Sequence, residues 1–137
     1  ILHDGTINRT SNGTGNVYEK TLEQLKELDF GSWKSSMWTG TQIPTFEEML
    51  ACCKKIGLSV YIEIKQESPW TQALITSCVE LVRKHGMKDH VTWITFNSTI
   101  LGYVKTADET ARLGFLMTTY TTNAVDTCVS LRTGKMK

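Results

Sequence analysis

Residues 58–65 read LSVYIEIK, and the fold turns on whether this run is a strand or part of a helix. It is short, rich in β-branched residues and strictly alternating, which predicts a strand. Leu58, Val60, Ile62 and Ile64 fall on one side of it, and Ser59, Tyr61, Glu63 and Lys65 on the other. Working outward, residues 45–48 (TFEE) form a capping box. It opens a helix through Phe46, Met49, Leu50 and Cys53 that stops at Gly57. On the other flank, Ser68-Pro69 reads as an N-cap followed by proline at the first helical position. That helix runs to residues 83–86 (RKHG), where basic residues and glycine mark a C-terminus.

The alternation continues in both directions. Residues 91–96 (VTWITF) predict a strand, and Asn97-Ser98 starts a helix over Ile100, Leu101 and Val104. Residues 113–118 (LGFLMT) predict a third strand, and Asn123 caps a last helix through Val125, Cys128 and Leu131 that ends at Gly134. Upstream, Thr21 and Gln24 form a capping box for a helix with Leu22, Leu25 and Leu28 on one face. A Gly-, Trp- and Ser-rich loop follows it. Ile1-Leu2 reads as the end of a strand entering the loop at residues 3–15 (HDGTINRTSNGTG), as expected of a chain that begins inside a larger fold.

Strand and helix alternating at this spacing mean parallel β/α units. Three are visible, with no internal repeat. A complete (β/α)₈ TIM barrel takes ~250 residues. The 137 residues are therefore expected to be the middle portion of one barrel, with its first and last strands missing. An open doubly wound sheet fits the same periodicity.

Composition narrows the function. Fifteen Lys and Arg against fourteen Asp and Glu leave a formal net charge of +1. That is not the electrostatic footprint of a nucleic-acid binder or a polybasic membrane anchor. No apolar run approaches the roughly 20 residues of a membrane span. Cys52, Cys53, Cys78 and Cys128 lack metal-site spacing and are expected to be buried free thiols. Asn8, Asn12 and Asn97 head Asn-x-Ser/Thr triplets, which matter only in a secreted protein.

In α/β folds chemistry gathers at the C-terminal ends of the strands. There Glu63 and Lys65 are expected to point into a crowded interior, where an isolated charge is costly. Either they form an ion pair with each other, or a metal ion and an anionic substrate compensate them. His3 follows an apolar pair and precedes a Gly-rich loop, the placement of a site residue as well as of a packing residue. His85 is expected in the last turn of a helix and His90 at the opposite end of a strand, so neither is a candidate.

Taken in order, His3-Asp4, the loop at 6–15, the Thr-started segment at 21–31, residues 43–50 (IPTFEEML) and residues 61–65 (YIEIK) resemble the glycerophosphodiester phosphodiesterase family. The resemblance continues more weakly through residues 91–97 (VTWITFN). It implies a TIM-barrel enzyme that hydrolyses glycerophosphodiesters to glycerol 3-phosphate and an alcohol. It also implies two acid/base histidines and a calcium or magnesium ion held by carboxylates. His3 matches the second histidine, Glu63 a metal ligand, and Lys65 the lysine near the phosphate. The first histidine and two further acidic ligands have no counterpart here and are expected upstream of Ile1. Asp4 is either a hydrogen-bond orienter for the His3 region or a loop cap, and Arg9 ties the loop down. Trp33 and Trp38 match a small inserted lobe over the site, and Trp38 and Phe96 are candidates for the substrate pocket.

The residue types suit that chemistry. A hard cation takes oxygen ligands and neutralises the phosphodiester. A histidine can protonate the departing alkoxide, and a lysine places fixed charge where the transition state gathers negative charge. A non-catalytic barrel that binds phosphodiesters or sugars, or a phospholipase D-like relative acting on lysolipids, are the alternatives. A cytoplasmic and a periplasmic or secreted setting both fit, and the oligomeric state is open.

Overall fold

The computed structural model describes residues 1–65, 69–119 and 123–133. They divide into two compact units, Ile1–Met49 and Leu50–Lys137.

The first unit is mostly irregular chain around one short helix, α1 (Leu22–Lys26). Thr21 caps it reciprocally with Gln24: the Thr21 hydroxyl accepts from the Gln24 N–H at 3.3 Å, and the Gln24 side chain accepts from the Thr21 N–H at 2.9 Å. Its core is small. Ile7, Leu25 and Ile43 are buried, with Leu2, Val17, Leu28 and Phe30 packed against them. Ile1 and Leu2 are not in a strand, contrary to expectation. No described strand pairs with them, and Leu2 packs on this core instead.

The predicted box at Thr45 and Glu48 starts α2 (Phe46–Lys55): the Thr45 hydroxyl accepts from Glu48 N–H at 3.1 Å, and Glu48 accepts from Thr45 N–H at 2.7 Å. Gly57, at φ +71°, ends the helix. The Leu58 N–H reaches back to the Cys53 carbonyl and the Gly57 N–H to that of Lys54, the paired bonds of a Schellman turn.

In the second unit β1 (Val60–Glu63), β2 (Val91–Thr95) and β3 (Arg112–Phe115) form a parallel sheet in the order β1-β2-β3. The helices α3 (Gln72–Lys84), α4 (Ser98–Ala107) and α5 (Asn123–Thr133) alternate with them. The expected α/β class with parallel strands is therefore present. Val91, Trp93 and Thr95 are buried on one face of β2, with Ile75, Val79, Val82, Ile100, Leu101 and Val104 buried on α3 and α4. Asn97 caps α4 by accepting from the Thr99 N–H at 3.0 Å. A second Schellman turn at Gly86 ends α3, and Met87 behind it is buried.

Two helices differ from expectation. α3 is capped by Thr71, whose hydroxyl accepts from the Leu74 N–H at 3.1 Å, so Pro69 precedes the helix. Ser68, like Gly134, lies outside the described residues. On α5 the buried residues are Ala124 and Leu131, two turns apart, whereas Val125 and Cys128 are exposed. The cysteines follow suit. Cys52 and Cys128 are exposed, because Cys52 faces away from buried Leu50 on α2. Cys53 and Cys78 are half-buried, and burial pushes the Cys78 thiol up. No helix among the described residues is long and apolar enough to cross a membrane.

Candidate active site

The loop after His3 is built by its own polar side chains. Thr6 and Asn16 form an isolated antiparallel bridge, with the Ile7 N–H donating to Gly15 and the Val17 N–H to Gly5, both at 3.0 Å. Asn8 accepts from the Gly15 N–H at 2.8 Å, and Asn12 accepts from the Asp29 N–H at 2.9 Å. Asn97 being the α4 cap, all three triplet asparagines hold backbone. Gly13 packs closely, since a Cβ there would lie 2.7 Å from the Leu28 side-chain end and 2.8 Å from that of Ile7, and both would have to shift.

This scaffold brings His3, Asp4 and Arg9 together. Arg9 grips Asp4 with two parallel bonds, Nε to Oδ2 at 2.7 Å and Nη2 to Oδ1 at 2.9 Å. Asp4 Oδ1 also lies 2.9 Å from His3 Nδ1. The Arg9 guanidinium, and then His3, hold the Asp4 carboxyl far below the usual carboxylate range. An ionised carboxylate only accepts, so His3 Nδ1 carries the hydrogen of this bond. The His3 side chain is 74% exposed, within reach of a ligand from solvent. Asp4 thus bonds both His3 and Arg9, the contact that its reading as an orienter of the His3 region would use.

Sequence reasoning missed what lies behind Arg9. Its guanidinium sits 5.8 Å from the ring centroid of Trp33, whose Nε1 donates to the Phe30 carbonyl at 3.0 Å. The loop carrying Trp33 is organised by Asp29, which accepts from the Gly31 and Ser32 N–H groups and from the Ser32 hydroxyl. The Ser32 hydroxyl, then those backbone donors, keep Asp29 well below its ordinary range. Asp followed by Gly-Ser at 29–32 is the local signal that would have found this turn. Gly31 has no alternative, because a Cβ there would run into the Trp38 backbone carbonyl. Trp38 and Met37 are exposed on this loop.

The second unit holds the other candidates. Glu63 ends β1, and Lys65 lies two residues on, on the same side of the chain. Lys65 Nζ donates to Glu63 Oε2 at 2.8 Å, with both side chains about a quarter exposed (24% and 23%). The ion pair is thus formed. The face is more open than expected, since Tyr61 is 76% exposed and no described strand faces it. Glu63 aligns with Ile94, and Ile94 with Gly114, where a Cβ would press within 2.9 Å of Ile94. Beyond them, at the C-terminal end of β2, Phe96 is half-exposed and shares the parity of Lys65. His90 meets Ser59 at 3.2 Å at the opposite end of the strands, and His85 is the C-cap of α3, both as expected.

A carboxylate such as Glu63 suits a hard divalent cation, but Lys65 beside it opposes one. Among the described residues no group of three His, Cys, Asp or Glu side chains could hold a metal ion. Glu63 therefore fits such an ion as one donor of a set, and not as a complete site.

The profile of the glycerophosphoryl diester phosphodiesterase family matches residues 1–135. The chain belongs to that family. It is 29% identical over 116 residues to the glycerophosphodiester phosphodiesterase of Caldanaerobacter subterraneus subsp. tengcongensis, covering 85% of this chain and 48% of that protein. Among solved structures it is similar to the glycerophosphodiester phosphodiesterase of Agrobacterium tumefaciens, with a TM-score of 0.71, 26% identity, and 82% of this chain against 46% of that one. An Oleispira antarctica phosphodiesterase in complex with the product sn-glycerol-3-phosphate shares the fold at a TM-score of 0.78 and 24% identity, over 95% of this chain and 53% of that one. The chain spans about half the length of each.

Proposed function

We propose that the protein containing this chain hydrolyses glycerophosphodiesters to glycerol 3-phosphate and an alcohol, and that these residues form the middle portion of one TIM barrel. The observation that carries the reading is the carboxylate–ammonium pair at the C-terminal end of β1, in a chain whose family match runs over residues 1–135. A strand's C-terminal end is where such folds place their chemistry. The likeness to solved family structures over about half their length supports the barrel.

In this reading His3 is the acid that protonates the leaving alkoxide from Nε2, its Nδ1–H held by Asp4. Lys65 supplies fixed positive charge to the phosphoryl oxygens. Glu63 is one donor to a divalent cation, calcium or magnesium, and the other donors belong to the part of the relatives' length that this chain does not span. When bound, that ion supplies charge neutralisation of the phosphodiester. Phe96, at the C-terminal end of β2, is proposed to contact the alcohol. Such a substrate would accept from the Lys65 ammonium, which has three hydrogens and gives one of them to Glu63.

The test is release of sn-glycerol 3-phosphate from glycerophosphocholine by the full-length protein, with and without chelator. Chelator-sensitive release is expected. Binding without turnover at any cation concentration would overturn the enzyme reading.

A further inference from the structure

We propose that Arg9, backed by Trp33, is a positioning residue for His3 and acts on it through Asp4; this rests on the acid role of His3 given above. The fork between Arg9 and Asp4 is partly exposed, with side-chain exposures of 55% and 28%. Exposed ion pairs contribute little to stability, so the consequence of this one is geometric.

Both Asp4 oxygens are engaged by Arg9, and Oδ1 is shared with His3 Nδ1. Asp4 therefore cannot rotate without breaking contacts on both sides. An imidazole bonded to a carboxylate free to turn would sample several ring orientations, and one bonded to this carboxylate has a fixed reference. Arginine is the residue type this requires, because its planar donors match a carboxylate in two places at once and a lysine's do not. Its guanidinium carbon lies over the Trp33 ring, 5.8 Å from the centroid, and Trp33 is itself held by Phe30 on the Asp29 turn. Orientation thus passes from the Asp29 loop through Trp33, Arg9 and Asp4 to the ring that moves the proton.

The experiment uses the full-length protein and glycerophosphocholine. Arg9→Ala is expected to lower kcat roughly 10–100-fold, the scale for groups that orient a catalytic ligand. Arg9→Lys should recover part of the rate, and Trp33→Ala should cost about two- to fivefold, the scale of one cation–π contact. In a His3→Ala background Arg9→Ala should cost nothing further. Imidazole ¹⁵N spectra should report His3 protonated at Nδ1 in the wild type and as mixed tautomers in Arg9→Ala and, more weakly, in Arg9→Lys. An equal loss from Arg9→Ala with and without His3, or an unchanged tautomer in both variants, overturns the proposal. Should His3→Ala keep the full rate, the acid reading of His3 fails, and the spectra alone decide whether Arg9 sets the ring.

Discussion

Lys65→Met separates a metal donor from a private ion pair at the end of β1. In the wild type Lys65 Nζ is 2.8 Å from Glu63 Oε2, and both side chains are about a quarter exposed. Exposed pairs contribute about 0–1 kcal/mol and breaking a buried one costs about 3–5 kcal/mol, so this pair falls between, at about 1–3 kcal/mol. For a domain of some 150–250 residues that is a fall in Tm of roughly 2–12 °C. If Glu63 also binds a divalent cation, a cation at about 100 times its Kd stabilises wild type and variant alike by ~2.7 kcal/mol. The gap is then widest in chelator and narrows in cation only by as much as the variant binds the ion more tightly. Its half-saturating concentration should be lower in Lys65→Met, because a nearby positive charge has gone. Glu63→Gln should melt low in both conditions, with activity recovered only at high calcium or magnesium. The assay is a set of thermal melts and initial rates across a cation titration for the wild type and both variants. Superimposable cation curves for all three, with lowered melting points in both variants, would refute the metal role of Glu63.

His3→Ala should lower kcat by roughly 10²–10⁴ on glycerophosphocholine and far less on a nitrophenyl diester, whose leaving group needs no proton; equal losses on both would remove the acid role. Asp108 is buried, and burial alone would raise it, but the Thr110 hydroxyl and N–H, with Lys88 and Arg83 each 3.6 Å away, hold its carboxyl below the ordinary 3.8. A depressed folded-state value means stability that is present above the unfolded value and lost as pH falls through the folded one. The Tm gap between wild type and Asp108→Asn should therefore be full at pH 5 and close as the pH drops below 3.8. Gly31→Ala forces a Cβ onto the Trp38 carbonyl and should cost about 1–3 kcal/mol by overpacking, seen as a lower Tm; an unchanged melt would mean the 29–41 loop yields freely.

Much of the fold was legible because its signals are local. The boxes at Thr21 and Thr45, the Asn97 cap and the two glycine turns each satisfy backbone groups within one turn of the residue concerned, so a window of sequence contains the whole interaction. α3 shows the limit of that rule. Ser68-Pro69 and Thr71 are both acceptable starts, and sequence cannot tell which hydroxyl reaches a third-residue N–H; Thr71 does. Burial on α5 depends on what covers it, which is why Leu131 is buried as expected but is joined on the inner face by Ala124 and not by Val125 and Cys128.

The site divides along the same line. Glu63 and Lys65 are two apart on a strand, so alternation alone puts them on one side. Asp4 and Arg9 meet across a turn whose Asn and Gly chemistry is visible in the sequence. The turn at Asp29 has a local signal, but that it sets Trp33 against Arg9 is a contact between distant parts of the chain, which no local pattern encodes. The two charged groups also differ in what a substrate would do to them. Lys65 bonds Glu63 through one of the three hydrogens of its ammonium, so pairing does not by itself exclude a phosphodiester there. His3 bonds Asp4 through Nδ1, the nitrogen not proposed to move a proton, so its orienting bond persists through the reaction. The proposed mechanism therefore requires the Asp4–His3 contact to hold on each turnover.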